Sequence, residues 1–179
     1  EDAISTIENS VRRMSDLLGK LQRREPSPAK ALELERILME TIKKCANTRP
    51  MPSLRLESRG LKARADKDNL IMILIHIIKN AQEATDSHGF IDVRLTKKGG
   101  HAIIEVEDNG EGMSDDFIRE RLFKPFVTTK SGKGMGIGVF QAREYIRNIG
   151  GDVTVQSEPN SGTTFIVSIP LEASEQEAA

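Results

Sequence analysis

A chain of 179 residues can bury one sizeable core but not two ordinary domains, and its 37% hydrophobic and 30% charged residues set it apart from disordered and fibrous chains. With 26 Lys and Arg against 27 Asp and Glu, the net charge of -1 offers no general attraction to nucleic acid or an anionic bilayer. Neither is expected as a partner, and any phosphate site must be local. The lone Cys45 excludes an internal disulfide, and no Cys/His pair has zinc spacing. The longest apolar run, Leu70 to Ile78, is broken by His76 and falls far short of the roughly 20 residues a membrane span needs. The start, Glu1-Asp2, has no signal-peptide pattern, so a cytoplasmic segment without direct membrane contact is expected.

Ile4, Ile7, Val11, Met14, Leu17, Leu18 and Leu21 recur at three- and four-residue steps, which predicts an amphipathic helix over residues 1–24 that needs a partner. Two prolines in Glu25-Pro26-Ser27-Pro28 end it and open a linker and connecting helix over 25–48, with helical spacing from about Ala29 to Ala46. Ser53 to Ser58 alternates like a strand. Asp66 is placed to cap a helix running to about Thr85, apolar on nearly every side in its first half and therefore central to the core. Ile91, Val93 and Leu95 alternate with polar residues, as do Ala102, Ile104 and Val106, and Gly99-Gly100 suits a tight hairpin between them. Ser114 before Asp115-Asp116 marks another helix start, and a glycine-rich stretch opens a helix from about Ile137 to Ile149, ended by Gly150-Gly151. A last hairpin joins Asp152–Ser157 to Thr163–Ile169, followed by a polar tail over 173–179. Strands and helices segregated in this way predict an α+β two-layer sandwich over 49–172, a mixed sheet covered on one face by helices.

Gly132-Lys133-Gly134-Met135-Gly136-Ile137-Gly138 has glycine at every second position, which fits neither the dinucleotide fingerprint nor the Walker A spacing. What remains is a glycine loop feeding a helix N-terminus, suited to phosphate or merely structural. Asp108-Asn109-Gly110-Glu111-Gly112 follows a strand; such a sequence can aim a carboxylate into a cleft or simply turn the chain. Asn80, in an apolar helix, is either a satisfied core amide or an oxygen ligand for Mg²⁺.

Taken in order, these elements resemble the boxes of the histidine-kinase ATPase domain, a member of the gyrase, Hsp90, histidine kinase and MutL superfamily. His76 to Thr85 resembles the N box, Val106 to Met113 the first glycine box, Leu122 to Phe126 the F box, Gly132 to Gly138 the second glycine box, and Gly162 to Phe165 the short terminal one. The resemblance spans roughly residues 50–171. It implies that Asn80 holds Mg²⁺ on the ATP phosphates, that Asp108 accepts a hydrogen bond from the adenine amino group, and that Gly110 and Gly112 let the backbone approach the base. Thr163 would make a polar contact near the adenine, and Met113, Ile137 and Phe165 could line the pocket or be plain core. Residues 128–138 would form the ATP lid, with Lys130 and Lys133 reaching phosphate oxygens and Gly134 and Gly136 giving backbone contacts.

Two departures stand out. Hydrolysing relatives place a glutamate four residues before the asparagine and many kinases an asparagine, whereas this chain has His76; Glu83 stands where many kinases carry lysine. None of His76, His88 and His101 lies on an amphipathic helix beside an acid, so a phosphoacceptor histidine is expected outside these residues, and no catalytic residue is assigned within them. Residues 1–24 resemble the second helix of a dimerisation and phosphoacceptor hairpin, which implies a homodimer and a piece of a longer protein. The style of Thr128-Thr129-Lys130 also resembles nitrogen-regulator-type and exosortase-system kinases. The implied activity is transfer of the ATP γ-phosphoryl group to that histidine and on to a response-regulator aspartate, with ATP and Mg²⁺ as cofactors. An interaction module without kinase activity, an ATP-hydrolysing switch and a serine kinase are the competing readings.

Overall fold

The computed structural model of the protein describes residues 29–125 and 136–172. The elements run β1 (Lys30–Glu33), α1 (Leu34–Cys45), β2 (Pro52–Leu56), β3 (Lys62–Ala65), α2 (Lys67–Ala84), β4 (Ile91–Lys98), β5 (His101–Asp108) and α3 (Asp115–Phe117). A π-helical turn (Ile118–Leu122), α4 (Gly138–Asn148), β6 (Asp152–Glu158) and β7 (Gly162–Pro170) complete them. The expected helix over residues 1–24 and the tail over 173–179 lie outside the described residues.

The strand alternation read from the sequence is a real division of faces. Val93 and Leu95, Ala102, Ile104 and Val106, Val153, and Phe165, Val167 and Ile169 are buried. Their neighbours Arg94, Glu105, Glu107, Thr154, Gln156 and Ser168 are partly or fully exposed. Period-2 patterning allows only this outcome when one face of a sheet is covered. The strand order is β2-β4-β5-β7-β6, with β2 parallel to β4 and every other pair antiparallel. The parallel pair follows from connectivity, since β2 reaches β4 by way of α2 whereas the other neighbours are joined by turns or returning chain. Gly99, at φ +57°, makes the β4–β5 turn.

Helix α2 is the centre of the core. The Asp66 side chain accepts from the Asn69 amide at 2.8 Å, so one of the orphan donors of the first turn is satisfied. Leu70, Ile71, Ile73, Leu74, Ile77 and Ile78 are all buried behind it, each contributing roughly 1.5–3 kcal/mol of transfer free energy. Leu34, Ile37, Leu38 and Cys45 place α1 in the same core, so the connecting helix is part of the globular unit rather than a tether. The α+β sandwich with a mixed sheet covered on one face is thus the observed architecture.

Two details differ from the sequence reading. Residues 30–33, expected as the start of a helix, form β1 and pair antiparallel with β3, from Lys30↔Ala65 to Glu33↔Lys62. The helical spacing that starts at Leu32 belongs to the helix only from Leu34 onward; pairing with the distant β3 decides the first four residues. The strand expected over Ser53–Ser58 is β2, ending at Leu56.

Candidate functional site

The carboxyl end of β5 delivers Asp108 beneath the sheet's helical layer, where it is only 3% exposed. Its Oδ1 accepts the Gly110 amide at 2.8 Å. Burial raises the carboxyl above its ordinary range, opposed by hydrogen bonding from the Gly110 and Thr163 backbones and the Thr85 hydroxyl, with nearby Glu107 adding to the rise. The Thr85 hydroxyl closes no hydrogen bond of full geometric quality, so its effect on the carboxylate is one of proximity. No ion pair reaches Asp108 among the described residues.

The turn after Asp108 is pinned from two sides by backbone. The Glu111 amide donates to the Ala84 carbonyl at the end of α2 at 3.0 Å, and the Glu111 carbonyl accepts from the Asn160 amide in the β6–β7 turn at 2.7 Å. Glycine is needed where these segments meet: a Cβ on Gly110 would overlap the Ala84 carbonyl, and one on Gly112, at φ +65°, the Glu158 carbonyl. On the β7 side, Gly162 at φ +101° abuts the Asp108 carbonyl in the same manner. The space these glycines leave is therefore filled by the protein's own backbone.

Thr163 sits opposite Asp108 in the ladder and is buried. Its hydroxyl lies 2.9 Å from Ser157 Oγ, which accepts the Met113 amide at 2.8 Å and donates to the Gly162 carbonyl at 2.7 Å. With the Ser157 proton engaged on Gly162, Thr163 is the donor of that pair and keeps lone pairs free to accept. A cavity of about 640 Å³ opens at this end of the sheet, walled by Glu107, Gln156 and Thr164 of the solvent-facing side as well as by Asp108, Ser157, Gly162 and Thr163. Phe165 is buried core, and Met113 is half-buried against it.

Asn80 is half-buried on α2, one turn after His76. It does not line that cavity, so Asn80 and Asp108 come from one end of α2 and the neighbouring turn without sharing its walls. His76 faces Gly138, the first residue of α4; it remains solvent-exposed, and partial desolvation and then Lys79 hold its imidazole below the usual histidine range. Gly136 adopts φ +63° just before α4. Lys130, Lys133 and Gly134 lie outside the described residues.

Against known proteins, the family of histidine kinase-, DNA gyrase B- and HSP90-like ATPases matches residues 65–173, from the end of β3 to just beyond β7. The chain belongs to this ATPase family. The ATPase domain is 40% identical over 123 residues to the C4-dicarboxylate transport sensor protein DctB of Rhizobium meliloti (strain 1021), covering 66% of this chain and 19% of that protein. It is 32% identical over 119 residues to sporulation kinase D of Bacillus subtilis (strain 168), covering 66% of this chain and 23% of that one. Among solved structures, the catalytic domain of histidine kinase ThkA in a nucleotide-free form superposes with a TM-score of 0.68 at 26% identity, over 80% of this chain and 96% of that chain. The chain spans about a fifth of the length of these curated relatives, and within the family it is the ATP-binding catalytic domain of the sensor-kinase kind.

Sequence reasoning missed two groups of this ATPase domain's site. Ser157 had a signal: it is the polar member of the inward-facing set Val153, Val155 and Ser157 on β6. Thr85 had none, because only the folded turn brings it beside Gly110 and Asp108. Asn109, adjacent to Gly110, turns out to hold the α2–β4 loop, its Oδ1 accepting the Phe90 amide at 2.8 Å.

Proposed function

We propose that this domain binds ATP with Mg²⁺ and serves phosphoryl transfer from that nucleotide to a histidine on a helical hairpin of a longer sensor kinase. The observation that carries the reading is the Asp108 carboxylate, buried, braced by the Gly110 amide and reached by no ion pair among the described residues. Such an acceptor suits an uncharged N–H donor, and the exocyclic amino group of adenine is one. The acceptor can meet a flat ring closely because the turn beneath it is held rigid by the Glu111 backbone bonds.

Asp108 would orient the base, and Thr163 would accept or relay a hydrogen bond beside it. Asn80 would supply an oxygen ligand to Mg²⁺, which binds through few protein oxygens and keeps water and phosphate as its other ligands. Lys130 and Lys133 would meet phosphate oxygens as point charges, with backbone contacts from Gly134 and Gly136. When bound, the nucleotide supplies the phosphoryl group and Mg²⁺ the charge neutralisation; the residues of the domain position and exclude water. A response-regulator aspartate is the next acceptor in this scheme, homodimerisation through the hairpin completes the active assembly, and the domain works in the cytoplasm. The sensor-kinase relatives support this scheme.

Calorimetric titration of this chain with a non-hydrolysable ATP analogue, with and without Mg²⁺, tests the reading. Micromolar binding that Mg²⁺ strengthens is expected, with Asp108→Asn losing it and Asn80→Ala losing mainly the Mg²⁺-dependent part. A folded sample that binds no nucleotide would overturn the proposal in favour of an interaction module.

A further inference from the structure

Thr85 ends α2 in an extended conformation, φ -116° and ψ 136°, the residue 8% exposed and its hydroxyl buried and unpartnered. An orphaned hydroxyl costs on the order of 1–3 kcal/mol, and valine would fill the same shape without that cost. The orientation is set from two sides. The Thr85 methyl occupies the space left by Gly89, and a Cβ on Gly110 would come within 2.8 Å of Thr85 Oγ1. The hydroxyl is therefore turned toward Gly110, whose own amide holds Asp108 Oδ1 at 2.8 Å. Hydroxyl and carboxylate thus both lie against one glycine, in a turn that Glu111 locks to the Ala84 carbonyl.

We propose that Thr85 is a positioning residue for Asp108, its hydroxyl donating to the carboxylate directly or through one water and so fixing the oxygen that takes up the adenine amino group. The inference rests on the nucleotide-binding reading above. Its effect on the charge of Asp108 has the matching sign, since the hydroxyl favours the ionised acceptor against burial. Protons from Thr85 and from the Gly110 and Thr163 amides then leave the remaining lone-pair site of the carboxylate for the ligand.

The test compares Thr85→Val, which removes only the hydroxyl, with Thr85→Ser, which keeps it, by titrating each with an ATP analogue and with purine riboside triphosphate, which lacks the amino group. Thr85→Val should bind the ATP analogue about 10-fold more weakly, as loss of one hydrogen bond to a charged group predicts. It should bind the amino-free nucleotide as the unaltered protein does, while Thr85→Ser keeps its affinity for both. Equal weakening toward both nucleotides, unchanged ATP affinity in Thr85→Val, or a loss in Thr85→Ser as large as in Thr85→Val would each overturn the inference. Failure of the folded, unaltered protein to bind the ATP analogue would instead sink the nucleotide-binding reading itself.

Discussion

The α-carbon of Gly112 rests against the carbonyl group of Glu158, joining the turn after β5 to the turn after β6. Neither partner is free to retreat, because the Asn160 amide two residues on holds the Glu111 carbonyl at 2.7 Å. Gly112→Ala adds left-handed backbone strain, about 1–2 kcal/mol, to an overlap with backbone. The variant should lose about 3 kcal/mol or more and melt roughly 6–12 °C lower. Gly100→Ala is the control: a Cβ there meets nothing within 4 Å, and its stability should stay within about 0.5 kcal/mol of the unaltered protein. Equal melting temperatures for the two variants would remove the close-approach argument.

Asp108 carries an opposition between stability and binding. Burial raises its folded pKa above the ordinary carboxylate value. A raised folded pKa means that the group's full stability is present below the unfolded pKa and is lost as pH rises through the folded one. Ionised Asp108 therefore costs the empty domain stability at pH 7. Asp108→Asn should melt higher than the unaltered protein at pH 7 while binding ATP more weakly, and the melting difference should close as pH falls below about 4. A lower melting temperature for Asp108→Asn at pH 7 would show that the hydrogen bonds to the carboxylate outweigh its burial.

Much of this could be read from residues in order, and the exceptions share one cause. Asp66 with Asn69, the Gly99 turn and the alternation of β4, β5, β6 and β7 are local signals, and the structure keeps each of them. The strands β1 and β3 are four residues each and exist only because they pair with one another, so neither had a pattern of its own to read. The glycines of the first box were visible as a motif, but the carbonyls of Ala84 and Glu158 that fill the space beside them come from distant parts of the chain. The same holds for Thr85 and Ser157: a hydroxyl in the sequence has no direction until its neighbours are folded around it.

Tyr145 on α4 reaches the start of α2, its phenolic oxygen accepting the Asp66 amide at 2.8 Å. That amide lies just before the helix, where the intrahelical ladder offers it no partner. Tyr145→Phe keeps the ring and leaves a part-buried donor unpaired, at a cost of about 1–3 kcal/mol. Urea denaturation should show a lower midpoint with an unchanged slope. If instead the midpoint holds, water replaces the phenol and α4 is not tied to α2 through this bond.

Arg143 links the F box to the first residue of β6. Its guanidinium stacks over the Phe123 ring at 4.2 Å and its Nε lies 3.1 Å from Asp152, which also receives Arg147 at 2.9 Å. Burial alone would raise the Asp152 carboxyl, but hydrogen bonds from Arg147, Arg143 and the Val153 amide outweigh it and bring it down to about 2. A depressed folded pKa gives stability that is present above the unfolded value and lost as pH falls through about 2. The Asp152 side chain is 39% exposed, so screening reduces the worth of these pairs to about 1 kcal/mol. Asp152→Asn should therefore lower the melting temperature by about 2–4 °C at pH 7, with the difference shrinking as pH is taken below 4. Arg143→Ala removes the Phe123 contact as well, about 0.5–2 kcal/mol more at this half-buried site. That excess should persist at low pH, because neither arginine nor phenylalanine titrates there. A loss in Arg143→Ala that vanishes entirely with acid would assign the whole effect to Asp152 and leave the stacked ring without a share in it.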